Sequence, residues 1–378
     1  GWAIFVVLVL VAIARYRDSS RNATASSEYS RKASTVVPDI IPAPNFNLNS
    51  IDPPVFRPFK PKYHLTMGKM LTETTGIETV DRNDLILFDN TYAERLCLRE
   101  SLLQQYSTDV IGVTSETDMK IRLAVQELYS YLFATYLPKR YPKLFEVAGK
   151  ELATHTHLKN QVTGNVFPMH IANSTPLRDA LKTIAENVDE DFFILFPRRQ
   201  EGTDEEIYIL EAYAACFPSG FQPREKIGKK LADIHGPVPG YKQKLQKSMD
   251  RFFARLEPGR YVKRVNWGVT VDEELFSNFD KSKPAFEGTL QKISLEELNL
   301  DKTYLRCERQ TLHRLPASGA IVFGFHTYIY PIQDIKAEGN GELLAQAIDG
   351  LEHGSVPEMF TYKGGGKWAG SVREYLRG

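Results

Sequence analysis

The stretch TYLRCERQTLHRLPASGAIVFGFHTYIYPI, residues 303–332, decides the fold. Two strand-like runs, 303–315 and 320–332, the second rich in β-branched and aromatic residues, flank Pro316-Ala317-Ser318-Gly319. Proline and glycine in a four-residue gap between such runs predict a hairpin. Working outward, RYVKRVNWGVT (260–270), EIYILEAYAACFP (206–218) and DFFILFP (191–197) read as three more strands. Two helical stretches, Arg224 to His235 and Gln243 to Leu256, fall between the second strand and the third. The chain order is strand, strand, helix, helix, strand, strand, strand. It predicts an α+β domain built on an antiparallel sheet with inserted helices.

Five strands with helices inserted after the second is also the chain order of a PAS-like fold, which holds small cofactors between its helices and one sheet face. Before this core the sequence is mainly helical. One helix is expected from Thr91 to Tyr106. A second follows a capping box of Ser115 and Asp118 and carries Ile121, Val125, Leu128, Leu132 and Tyr136 at helical spacing, with Pro138 ending it. A third is capped by Thr175, has Pro176 at its first position, and turns Leu177, Leu181, Ile184 and Val188 inward. The expected organisation is a membrane anchor at 1–17, a Ser/Pro-rich linker at 18–54, an N-terminal helical subdomain at 55–190, a PAS-like core at 191–335 and a helical tail at 336–378.

Lysine plus arginine number 47 and aspartate plus glutamate 47, a formal charge of zero. A protein that grips nucleic acid through bulk charge needs a basic surface, so that class is excluded. Three cysteines, Cys97, Cys216 and Cys307, cannot build a disulfide framework and read as reduced, packed thiols. Residues Trp2 to Ala14 are apolar without a break, and Arg15 and Arg17 follow. A helix of that length spans roughly 20 Å, short of the ~30 Å bilayer core, and a few upstream residues would complete it. A signal anchor, a cleaved signal and a buried strand are the competing readings. The basic flank places the rest of the chain in the cytosol under the positive-inside rule. Seven prolines between Pro38 and Pro61 then predict an extended linker.

Familiar catalytic motifs are missing. The sequence has no GxGxxG, GxSxG or HExxH, and Lys363-Gly-Gly-Gly-Lys367 lacks the spacing of a phosphate loop. His155 and His157 have strand-like ligand spacing without a third partner nearby, which reads as surface histidine. His235 ends the stretch REKIGKKLADIH (224–235). On a helix, Gly228, Leu231, Ala232 and His235 share one face, which could accept a flat macrocycle with His235 as axial iron ligand. Arg224 and Lys226 lie within reach of its propionates. The plainer reading is a histidine favoured by a helix C-terminus. The strand at 305–312 is unusual because neither face is apolar: Arg306, Glu308 and Gln310 alternate with Cys307, Arg309 and Thr311. Buried polar groups need partners. Together with Arg264-Val265-Asn266-Trp267, these residues line a polar pocket or form a structural Glu–Arg network.

The runs EKIGKKLADIHGPVPGY (225–241), MDRFFARLEPGR (249–260), RVNWG (264–268), LRCERQTLHRLPASGAIVF (305–323) and TYIYPI (327–332) resemble the haem-dependent oxidative N-demethylase family. FRPFKPKYHLTMG (56–69) and DNTYAERLCLRE (89–100) resemble its fungal members. The resemblance covers roughly 55 to 365 and leaves out the anchor and linker. It implies a PAS-like core that binds haem b, dioxygen as co-substrate, loss of a methyl group from an amine as formaldehyde, and electrons from a separate reductase. It moves His235 into the metal-ligand role, with His64 and His326 as next choices. Arg224, Lys226, Gly228 and Trp267 are expected at the cofactor. Glu308, Arg309 and Asn266 are expected to be catalytic, with Tyr213 a further pocket candidate. A carboxylate can hold an alkylammonium, and an arginine can polarise bound oxygen. An anchored chain suggests a larger, apolar amine and, by analogy with fungal oxygenases, a site on the endoplasmic reticulum. A non-catalytic haem or small-molecule sensor and a haem oxygenase with another reaction are the alternatives.

Overall fold

A computed structural model describes residues 39–57, 77–148, 156–199, 202, 206–219, 221–271, 275, 292–354 and 356–378. The expected anchor, most of the linker, His64 and His155 lie outside these residues. Residues Ile40–Gly378 form one compact unit. Among the described residues no helix is long and apolar enough to cross a membrane.

The strands are β1 (Glu78–Thr79), β2 (Ile111–Val113), β3 (Phe145–Ala148), β4 (His157–Asn160), β5 (Val166–Pro168), β6 (Asp191–Arg199), β7 (Glu206–Ala214), β8 (Tyr261–Thr270), β9 (Tyr304–Arg314) and β10 (Ile321–Pro331). Seven of them form one sheet in the order β1-β8-β9-β10-β6-β7-β2, antiparallel throughout. The remaining three, β3-β4-β5, make a small separate sheet. All five strands expected from the sequence are present. The expected hairpin joins β9 to β10, with Pro331 opposite Tyr304 at its far end.

Among the helices are α1 (Tyr92–Gln105), α2 (Met119–Ser130), α3 (Leu177–Asn187), α4 (Pro223–Lys226), α5 (Leu231–Ile234), α6 (Gln246–Arg255), α7 (Ile332–Ala337), α8 (Gly341–His353), α9 (Glu358–Tyr362) and α10 (Gly365–Arg377). Strand alternation sends one sheet face to each helical layer. Phe192, Ile194, Ala212 and Val322 pack with Leu96, Val125, Leu128 and Ile184 of α1–α3. Further along that face Leu305, Cys307 and Tyr328 pack with Leu344, Ile348, Trp368 and Val372 of α8 and α10. The opposite face presents Phe193, Leu210, Val262, Leu312 and Phe325 to Leu231 and Phe253 of α5 and α6. Fully burying each large apolar side chain contributes roughly 1.5–3 kcal/mol before entropy is counted.

Several helix boundaries differ from the sequence expectation, each for a visible reason. Asp118 is itself the cap of α2, accepting from the Lys120 and Ile121 N–H, while Ser115 Oγ accepts from Asp118 N. Pro138 does not end that helix. A π-helical segment, Tyr131–Tyr136, leads into the turn Leu137–Arg140, where proline occupies the first turn and its missing N–H costs little. Pro176 is extended rather than helical, and α3 starts at Leu177. Its first N–H groups are taken by the Glu116 carboxylate, at 2.7 Å from Leu177 N and 3.2 Å from Arg178 N. The expected helix from Arg224 to His235 is two separate turns, α4 and α5. Between them Gly228 has φ +75° and its N–H donates to Leu210 O at 2.7 Å. Gly228 therefore does not share a helix face with His235.

Candidate functional site

The layer made by α4, α5, a π-helical turn at Tyr241–Leu245 and α6 arches over one face of the large sheet. Its inner wall carries His235, immediately after α5. The imidazole Nδ1 lies 2.9 Å from Leu231 O, one helical turn back. A carbonyl can only accept, so Nδ1 carries the proton and Nε2 keeps its lone pair. The ring stacks on Tyr241, centroids 4.9 Å apart and planes 14° apart. Burial, helped by the nearby cations Arg264 and Lys226, holds its pKa below the ordinary histidine value. His235 is a neutral, oriented, half-buried imidazole.

The strands below it supply a connected polar strip. Antiparallel register sets Arg264 opposite Gln310 and Asn266 opposite Glu308, all on the face that looks toward α5 and α6. Arg264 Nε donates to Gln310 Oε1 at 2.7 Å. Gln310 Nε2 and Asn266 Nδ2 donate to the same oxygen, Glu308 Oε2, at 3.1 and 3.3 Å. Lys363 Nζ, from the turn between α9 and α10, donates to Asn266 Oδ1 at 3.2 Å and to Trp267 O. Burial pushes the Lys363 pKa down to about 8. Glu308 Oε1 is buried and accepts no hydrogen bond. Around the strip, Phe221, Ile227, Ile234, Met249, Phe252 and Phe323 are partly buried and pack against the apolar cluster on that face.

The sheet divides the expected site residues. His235, Asn266 and Glu308 share the arch, with Lys226 in its wall, Nζ 3.5 Å from Ile234 O. Tyr213 lies on the same sheet face, beside Phe193, its phenol pKa raised to about 12 by burial. Gly112 makes room for that ring: a Cβ there would fall 2.2 Å from Tyr213 Cε1. Arg224 lies outside on the surface, 3.3 Å from Asp109. Trp267 turns to the other face, with Lys363 Nζ 5.5 Å from its ring centre. Arg309 also faces away from His235, bound to Leu85 O at 3.1 Å and to Asp84 O. His157 is exposed and bonded to Thr156 Oγ1.

Behind the sheet lies a closed charged cluster that the sequence reading did not foresee beyond naming His326. His326 is 3.5 Å from Asp189 and 3.7 Å from Glu190, and it stacks on Tyr328 at 4.3 Å. Arg95 binds Asp189 and donates to Thr327 O at 3.0 Å. Arg99 reaches Asp191 at 2.8 Å and the Ala185 and Glu190 carbonyls at 2.8 and 2.9 Å. Both His326 nitrogens, both Glu190 oxygens and the Tyr328 hydroxyl make no hydrogen bond within the protein. Among the described residues no group of His, Cys, Asp and Glu could hold a metal ion by itself. The available signal was the Asp189-Glu190-Asp191 run facing Arg95 and Arg99, one turn apart on α1. Lys363 carried no such signal, since its glycine-rich context is notable only for lacking the spacing of a phosphate loop.

A groove of about 520 Å³ opens elsewhere, beside α2 and α3, lined by Ser107, Glu116, Arg122 and Arg178. Its charged groups already serve the backbone: Glu116 caps α3, and Arg122 binds Thr175 O and Glu116 O. The arch is the stronger candidate, because its polar atoms are held in position and Glu308 Oε1 has acceptor capacity left over.

A large antiparallel sheet with short helices across one face defines an α+β protein. Residues 76–373 match the family model described as haem-dependent oxidative N-demethylase, alpha subunit-like, and the chain belongs to that family. The family's name is that of an oxidative, haem-dependent enzyme.

Proposed function

We propose that the chain is a haem monooxygenase that removes a methyl group from an amine-containing small molecule as formaldehyde, using dioxygen and external electrons. The single observation that carries this reading is His235, whose Nδ1–H is committed to Leu231 O and whose Nε2 is left to bind iron. The strand order β7-β6-β10-β9-β8, with the helices inserted between β7 and β8, supports a PAS-like core. The residues fit haem b. The partly covered aromatic and aliphatic side chains suit a flat apolar ring, and Arg264 and Lys226 suit its carboxylates. When bound, haem supplies the activation of dioxygen, while the protein sets orientation and electrostatics.

This chain's own residues then have separate roles. Glu308 is fixed through Oε2 by Gln310 and Asn266, so Oε1 is free to accept the substrate N–H. Lys363 is a positioning residue. By donating to Asn266 Oδ1 it turns the Asn266 amide nitrogen toward Glu308. The overall balance is one O2, two electrons and two protons for each N–CH3. The C–N bond breaks, the methyl carbon leaves as formaldehyde, one oxygen leaves as water, and nitrogen keeps a hydrogen. The sequence has no flavin, nicotinamide or iron–sulfur motif, which supports a separate reductase partner. The apolar run 2–14 with its arginine flank supports a membrane tether with the catalytic body on the cytosolic side.

An absorption spectrum tests the reading. Wild-type protein expressed with ample haem should show a Soret band, and His235→Ala should lose it or shift it, while keeping its circular dichroism. A folded wild-type chain with no Soret band overturns the proposal. Glu308→Gln should retain the band, raise KM for the amine and lower formaldehyde release by roughly 10²-fold, the scale for losing one charge-assisted contact. Formaldehyde assays on the wild type separate demethylation from a different oxidation, and absence of any turnover with a surrogate reductase favours a sensor.

A further inference from the structure

Between residues 224 and 260 the chain carries ten lysines and arginines against four carboxylates, although its total charge is zero. This excess falls in the arch, whose inner wall holds His235. On α6, Lys247, Arg251 and Arg255 follow one another at four-residue spacing and are exposed, while Met249, Phe252 and Phe253 turn toward the sheet. Lys229 and Lys230, between α4 and α5, and Lys242, in the turn after them, are exposed too. Among the described residues none of these six is within ion-pair distance of a carboxylate. Like charges one turn apart on a helix repel, so the stripe weakens the isolated fold. Nor does the stripe answer to the substrate, because it points outward.

We propose that this outer face of the arch is the docking surface for an acidic electron-carrier protein. The proposal rests on the haem reading above, which requires two electrons per turnover from outside the chain. A positive surface directly over the cofactor's wall attracts a partner with a negative face and shortens the path of electron entry to the wall that bears His235. Steering of this kind raises association rates and fades as salt screens the charges, over a Debye length of about 10 Å at about 0.1 M. Occupancy by an anionic membrane surface is the competing use of the same charges.

The probe is a reduced [2Fe–2S] ferredoxin of acidic surface, used with the full chain. Stopped-flow haem reduction should slow by about tenfold or more between low and moderate salt. Lys247→Glu/Arg251→Glu/Arg255→Glu should slow it by at least about tenfold at low salt. Lys120→Glu/Lys302→Glu, exposed cations elsewhere, should leave it unchanged, and dithionite should reduce all variants alike. Calorimetric titration of ferredoxin against the chain without added haem should give the same ranking, which keeps the test independent of activity. Equal rates and affinities in the α6 variant and the wild type overturn the proposal, as does an equal loss in the control variant. Overturning it as well is binding to phosphatidylserine vesicles that needs the α6 stripe while ferredoxin binding does not. A wild type without a Soret band overturns the haem reading, and the calorimetry then still decides the docking.

Discussion

His313 shows how a single buried side chain sets a pH limit. Both its ring nitrogens lack partners, and it is enclosed by the Tyr131 and Tyr261 rings. Burial, with Arg82 nearby, lowers its pKa from 6.5 to about 4. The unfolded chain therefore binds a proton at a higher pH than the folded one. Stability is complete above about 6.5 and is lost as pH falls toward about 4, by at most about 3 kcal/mol. His313→Phe should flatten that acid limb in denaturant titrations at several pH values, and an unchanged slope would contradict the assignment. Glu190 works in the opposite sense. Burial raises its carboxyl pKa, so the folded state holds a proton that the unfolded state releases, and stability declines as pH rises above the ordinary glutamate value. Glu190→Gln should remove this decline and stabilise the protein near neutral pH, on the order of 1 kcal/mol.

At the scale of elements, ends are set by distant groups. Glu116→Ala should uncap α3 and cost about 1 kcal/mol, within the ~0.5–2 kcal/mol range of helix caps. Gly341→Ala should cost about 1–3 kcal/mol, because its Cβ would meet the Leu376 carbonyl oxygen at 2.6 Å and part α8 from α10. Denaturation midpoints check both. These dependencies also explain what the sequence could and could not reveal. β6, β8, β9 and β10 were legible because alternation and turn residues are local signals. α3 was misplaced at its start because its cap comes from Glu116, and β7 ends four residues before the expected Pro218 because Asp191 captures the Cys216 and Phe217 N–H groups. The helix through 224–235 failed because Gly228 ties back to Leu210. Within the candidate site, the polar pairing of Asn266 with Glu308 was legible from the character of their strands. Lys363 was not, since its contact with Asn266 spans 97 residues of sequence.

For the whole molecule, the neutral total conceals a division of charge. Positive groups collect on the arch, whereas the closed cluster sets Asp189 and Asp191 against Arg95 and Arg99. Several apolar side chains of the arch are only partly buried. A ligand that fills it should therefore stabilise the fold by mass action. Added haem should raise the melting temperature of the wild type by a few degrees at about a hundredfold excess over Kd, and should do less for His235→Ala. Differential scanning calorimetry makes that comparison without any turnover.

One consequence of β9 running between the two compartments concerns how the enzyme can diversify. Its even positions, Glu308 and Gln310, face the arch, and its odd positions, Cys307 and Arg309, hold the far side together. If the proposed site is correct, neighbouring codons answer to different selective pressures, one set to chemistry and the next to folding. A library randomised at 264, 266, 308 and 310 should yield mostly folded proteins with altered substrate range. The same effort spent at 307 and 309 should yield mostly insoluble ones.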